Sequence, residues 1–127
     1  MSKWKLPPPG GKMESTDGTY LQNMTWGQIE ERLEKNDLII IPIGSTEAHG
    51  PHACIGEDTF LVTRMAEAVA EKTGCTVAQP IWYGSPPYHH MGMPGTIVVP
   101  EETFIGLIKA VMAGLWNMGF RKQILLN

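Results

Sequence analysis

Cysteine is almost absent from this sequence. Cys54 and Cys75 are the only two in 127 residues, and they form no recognised metal or redox motif. They are expected to be free thiols in a cytoplasmic protein. The start, Met1-Ser2-Lys3-Trp4-Lys5-Leu6-Pro7-Pro8-Pro9-Gly10, lacks the apolar core of a signal peptide. No apolar run is long enough to cross a membrane, so no membrane partner is expected. Positive charge is not in excess either. The formal net charge is −3, which removes the electrostatic ground for binding nucleic acid or an anionic membrane. There is no internal repeat. What is present is a 43% hydrophobic and 18% charged composition, which suits one small domain with a core rather than a disordered chain.

Residues 1–23 are rich in Pro, Gly and polar residues and read as an N-terminal arm, either disordered or frayed, lying on its own domain, or wrapping a neighbour. Order is expected over 24–127. Thr25 and Gln28 form a capping box, and Met24 with Ile29 a hydrophobic staple. Trp26, Ile29 and Leu33 follow at helical spacing, predicting a helix over 25–35. Leu38-Ile39-Ile40-Ile41-Pro42-Ile43 reads as a buried strand, and since Pro42 at its end cannot donate, pairing is expected to stop near the Glu47 loop. A second helix, opened by Glu57 or Asp58, spans about 58–72. Phe60, Leu61, Met65, Ala68 and Val69 are its apolar stripe, and Gly74 its C-cap. Cys75 to Ile81 reads as a strand and Gly95 to Val99 as a short one. Between them Trp82 to Pro94 is a long loop of the kind that usually carries function. The third helix covers 101–118, with Phe104, Leu107, Val111, Leu115 and Met118 inward and Glu101 and Glu102 favouring its N-terminus. Met65, Met112 and Met118 are expected in the core. Arg121 to Leu126 is a final strand. This alternation predicts an α/β fold of parallel βαβ units.

The chemistry gathers after the first strand, in Ile43-Gly44-Ser45-Thr46-Glu47-Ala48-His49-Gly50-Pro51-His52, with Asp58 nine residues past His49. Two carboxylates and an imidazole suit a divalent ion of the zinc or manganese type. In an extended segment Glu47 and His49, two residues apart, point to one side. Asp58 reaches the same point from the start of the next helix. The mouth of a strand in an α/β fold is where catalytic sites collect.

These residues resemble the signature of the creatininase (creatinine amidohydrolase) family. Tyr83-Gly84-Ser85 with His90-Met91-Gly92-Met93-Pro94-Gly95-Thr96-Ile97 is similar to its second block. Gly119-Phe120-Arg121 with Ile124-Leu125-Leu126-Asn127 is similar to the lead-in to its third. The resemblance implies a three-layer fold, a mostly parallel sheet flanked by helices, of which this chain forms about half. It implies two divalent ions, zinc or manganese, with Glu47 on one, His49 on the other and Asp58 bridging. A metal-bridged hydroxide would then open a cyclic substrate, either a cyclic amide or a cyclic polyhydroxy ketone. The long arm resembles the dehydro-inosose hydrolase branch. His90 matches a family histidine near the site. His52 reads as a substrate contact, a donor that orients a ligand, or a plain loop histidine. Gly95 and Thr96 are expected to turn near the ligands, Thr96 donating a hydrogen bond. Cys54 is expected to be packed. Trp82, Tyr83 and Tyr88 suit either a pocket wall or packing. Two positions depart from the family pattern: Glu57 stands for a small polar residue and Met93 for an aromatic.

Three ligands cannot saturate two ions, so the resemblance implies a C-terminal half, as a second chain, and a homo-oligomer (a hexamer of the complete unit). An apolar strand ending at Asn127 also looks like part of a domain. Truncation, a second gene and cleavage after Asn127 all stay open. Cleavage has a route, since an asparagine amide can attack its own main-chain carbonyl. The alternatives to a hydrolase are a non-catalytic half-domain or binding subunit, a structural oligomer module, and an isomerase.

Overall fold

The structure, a computed structural model, describes residues 19–127. What the sequence suggests for residues 1–18 of the arm lies outside the described residues. Three helices and three strands alternate: α1 (Trp26–Lys35), β1 (Leu38–Pro42), α2 (Glu57–Thr73), β2 (Thr76–Val77), α3 (Glu101–Met118) and β3 (Lys122–Leu126). The strands form one parallel sheet in the order β2-β1-β3. Period-two alternation sorts the isoleucines of β1 between two faces. Ile39, Ile41 and Ile43 pack with Leu115 and Phe120 under α1 and α3. Ile40 packs with Ala66, Ala70, Cys75 and Val77 under α2. The result is the expected three layers. Each fully buried isoleucine contributes about 2–3 kcal/mol through its apolar surface.

Local chemistry sets the element ends. Thr25 caps α1, accepting from the Gln28 N–H while the Gln28 side chain accepts from the Thr25 N–H. Gly74 closes α2 in the left-handed region, at φ 67°. Its carbonyl accepts from both Arg32 and Asn36, tying the end of α2 to the end of α1. Pairing at β1 stops at the Glu47 loop, as expected. Proline cannot donate, but its carbonyl accepts from Ile81, and Ile43 and Gly44 donate to Leu126 and Ile81. The ladder therefore ends at Gly44, where the Glu47 loop begins.

Several expectations need correction. The stripe of α2 is rotated: Thr59, Val62, Ala66 and Ala70 face the sheet, while Phe60, Leu61, Met65 and Val69 are exposed. The two alanines let the helix sit close to the strands, a fit the larger residues could not make. Trp26 is 80% exposed and donates its indole N–H to Glu30 rather than joining the stripe of α1. On α3, Leu115 is buried and Phe104 and Val111 pack partly, but Leu107 and Met118 are exposed. Of the three methionines, Met112 alone packs against the core. The strand expected over Cys75–Ile81 shrinks to two residues because Pro80 lacks an N–H, and contact with Ile43 resumes at Ile81. Gly95–Val99 is not a strand. Its N–H groups go to separate loops, Ile97 to Thr46 and Val99 to Gly84, so no ladder forms. Order also starts earlier than Met24. Tyr20 bridges to Val77, and its phenol donates to Glu67 on α2. No helix among the described residues is long and apolar enough to cross a membrane.

Candidate metal centre

The site stands where β1 hands over to α2, and glycines allow that approach. A Cβ on Gly44 would lie 2.0 Å from Thr59 Oγ1 and 2.5 Å from Thr59 Cα. A Cβ on Gly84 would lie 2.7 Å from the Gly44 carbonyl. The end of β1, the first turn of α2 and the Tyr83–Ser85 segment thus meet with only backbone between them. The loop after Gly44 is then held along its length. Thr46 Oγ1 donates to the Trp82 carbonyl, and the Glu47 N–H donates to the Ile55 carbonyl. The Ala48 N–H donates to Thr96 Oγ1 at 2.9 Å. Thr96 does serve this loop, but as an acceptor rather than the expected donor. Gly95 makes the turn at φ 88°, pressed against Ile55.

Glu47, His49 and Asp58 each offer a ligand atom within 4.8 Å of the others. The His49 ring fixes its own tautomer. A carbonyl can only accept, so Nδ1 carries the hydrogen and donates to the Glu47 carbonyl at 3.0 Å. In the neutral ring Nε2 then keeps its lone pair, facing Asp58 Oδ1 at 3.4 Å and Glu47 Oε1 at 3.8 Å. The other oxygen of Glu47 accepts from Ser45 Oγ at 3.0 Å, which orients the carboxylate. Asp58 lies in the first turn of α2, where the helix dipole favours an anion. The His49 pKa is raised, first by the bond to the Glu47 carbonyl and further by the charges of Asp58, Glu57 and Glu47, against the opposing effect of burial. Negative charge is thus concentrated on one free lone pair. A divalent cation competes for that position, so the donor set fits a metal.

A cleft of about 270 Å³ opens beside the trio, lined by Glu47, Asp58, Ser45, Ser85, Phe104 and Asn127 among others. His52 is exposed and lies outside the trio. His90 sits in the short helical turn Tyr88–His90, stacked edge-on against His89 at 4.3 Å, with Nδ1 buried and lacking a hydrogen-bond partner. The structure thus brings neither histidine into the ligand group. Trp82 packs edge-on against Phe60, and Tyr83 and Tyr88 are exposed. Cys54 is exposed rather than packed, and both thiols are free. Glu57, read from the sequence only as a helix opener and a departure from the family pattern, comes close to the site: its Oε2 lies 3.8 Å from His49 Nε2. Its place beside Asp58 at the helix start was the available signal.

The creatininase family profile, described as creatinine amidohydrolase, matches residues 22–127. The chain belongs to the creatininase family. It is 69% identical over 115 residues to the 3-dehydro-scyllo-inosose hydrolase of Thermotoga maritima, covering 91% of this chain and 37% of that one. A manganese creatininase superposes with a TM-score of 0.79 at 28% identity, covering 84% of this chain and 44% of that one. A zinc–zinc form of a creatininase mutant gives 0.78 at 28%, covering 84% and 43%. The chain therefore spans less than half the length of these relatives, and its fold is about half of the creatininase domain.

Proposed function

We propose that this chain carries the N-terminal part of the metal centre of a divalent-metal-dependent hydrolase that opens a cyclic polyhydroxy ketone. The observation that carries the reading is the convergence of Glu47, His49 and Asp58 on one point, with Nε2 of His49 left free to coordinate. The high identity to an inosose hydrolase supports the ketone over a cyclic amide. The zinc–zinc relative supports a pair of ions, and the manganese relative supports manganese beside zinc as the metal. Divalent ions held there would acidify water and polarise a carbonyl.

The chain's own residues then divide the remaining work. Ser45 and the Glu47 carbonyl lock the two loop ligands in orientation. Asp58 supplies a carboxylate whose direction is set by α2 rather than by a loop. Ser85 and Asn127, on the cleft wall, present a hydroxyl and an amide to a hydroxylated ring. His90 and His52, which lie outside the trio, are assigned to proton transfer or substrate contact. The ligands still needed come from the length that the relatives possess beyond this match, in an oligomer of the complete unit.

The test is hydrolysis of a cyclic polyhydroxy ketone by the complete protein, read alongside its metal content. Asp58→Ala is expected to abolish turnover and lower bound metal while the far-UV spectrum is kept. Full turnover with Asp58 removed, or a metal-free protein that remains active, overturns the reading.

A further inference from the structure

We propose that Glu57 is a further oxygen donor to the cation site and tilts it toward manganese over zinc. This rests on the metal-centre reading above and goes beyond its three ligands. Glu57 Oε2 stands 3.8 Å from His49 Nε2, the same separation that Glu47 Oε1 shows. Two donors bound to one divalent ion at about 2.1 Å each stand roughly 3.0–3.4 Å apart. Glu57 lies outside the group whose donors all stand within 4.8 Å of one another, so its side chain has to turn toward the site to share an ion with His49. That side chain is 49% exposed and free to make the turn. The backbone under it is fixed. Glu57 opens α2, its N–H donates to the Cys54 carbonyl, and the next residue is Asp58.

The consequence is a change in donor chemistry. Glu47, His49 and Asp58 offer two carboxylates and one imidazole. Glu57 makes it three carboxylates, an oxygen-rich and more anionic set. Carboxylate oxygen suits manganese, whereas imidazole serves zinc well, and zinc tends to fewer ligands. A small polar residue in place of Glu57 offers neither the charge nor the reach.

The experiment is titration of the metal-stripped complete protein with manganese(II) and, separately, zinc(II) salts by calorimetry. Wild type is compared with Glu57→Gln and Glu57→Asp. Glu57→Gln is expected to weaken manganese about tenfold, at the low end of the range typical for groups that tune a metal site, and zinc less than about threefold. Glu57→Asp, which keeps the charge and shortens the arm, is expected to fall between. Unchanged affinity for both ions, or equal loss for both, overturns the inference and leaves the three-ligand centre standing. A wild type that binds neither ion overturns the metal-centre reading itself and this inference with it.

Discussion

β1 and β3 lie side by side, five residues each, paired in register from Leu38 with Lys122 to Pro42 with Leu126. Ile39, Ile40 and Ile41 of β1 are sealed, but Ile124 and Leu125 of β3 are 46% and 44% exposed. Strand composition does not explain the difference, since both are apolar. Coverage does. α2 lies over one face of β1, and α1 and α3 lie over the other. Ile124 and Leu125 point to opposite faces, and neither layer closes over them. The outward side of α2 tells the same story with Phe60, Leu61, Met65 and Val69. The sealed strand leads straight into the loop that carries Glu47 and His49. The bare surfaces lie on the sheet's β3 flank and the back of α2, and relatives more than twice as long have the chain to cover them.

The sealed region should break hardest at Gly44. An added Cβ meets the backbone of Thr59 at 2.5 Å, so trimming the Thr59 side chain cannot relieve it. The first turn of α2 must move, and Asp58 moves with it. Gly44→Ala is expected to cost about 4 kcal/mol, at the exceptional end for one substitution. Urea denaturation should show the lower midpoint, and manganese titration a lost site. A variant of near-native stability that still binds metal would mean that the two elements are not held together there.

A matched pair of truncations sharpens the contrast between the strands. Ile41→Ala leaves a cavity between two packed layers and is expected to cost about 2–5 kcal/mol. Ile124→Ala, on the bare strand of this same chain, is expected to cost less than about 1 kcal/mol, because much of its surface already meets water. Equal losses in chemical denaturation would show that β3 is covered in solution.

The legible parts of the sequence were those governed by local rules. Thr25 and Gln28 announce the cap of α1, Gly74 the end of α2, and the isoleucine run the central strand, because each signal acts over a few residues. The trio Glu47, His49 and Asp58 was legible through spacing and family likeness together. The apolar face of α2 was not. The sequence offers two stripes, and the larger residues look like the core. Close packing on a sheet selects Ala66 and Ala70 instead, which is a decision made by the partner surface. The strand expected over Gly95–Val99 failed for a related reason. Its residues are extended and apolar, but a strand needs one continuous neighbour. Glu57 was read only as a helix opener and a departure from the family pattern, because the distance from its carboxylate to His49 depends on how α2 docks.

The smallest expected effect lies on the other flank of the sheet, where Tyr20 joins the segment before α1 to α2. Its phenol donates to Glu67, which also pairs with Arg64 at 2.7 Å. Burial, then the bond to Glu67 and the nearby charge, pushes the Tyr20 pKa up to about 12. The bond from Tyr20, followed by Arg64, holds Glu67 below the usual carboxylate range against its partial burial. The two signs are opposite. A raised tyrosine contributes stability that is fully present below its unfolded pKa near 10 and lost as pH climbs toward 12. A lowered glutamate contributes stability present above its ordinary value and lost as pH falls through the folded one. Tyr20→Phe keeps the ring packed beside Ala66 and Ala70 and removes only the hydroxyl. The variant should melt slightly lower at neutral pH, with a flatter decline between pH 10 and 12 and a shallower acid limb. Melting curves for wild type and variant that stay parallel at both extremes would mean that the phenol–carboxylate bond contributes nothing to docking this segment. The flank would then be held by the packed ring and by the backbone pairing of Thr19 and Tyr20 with Val77.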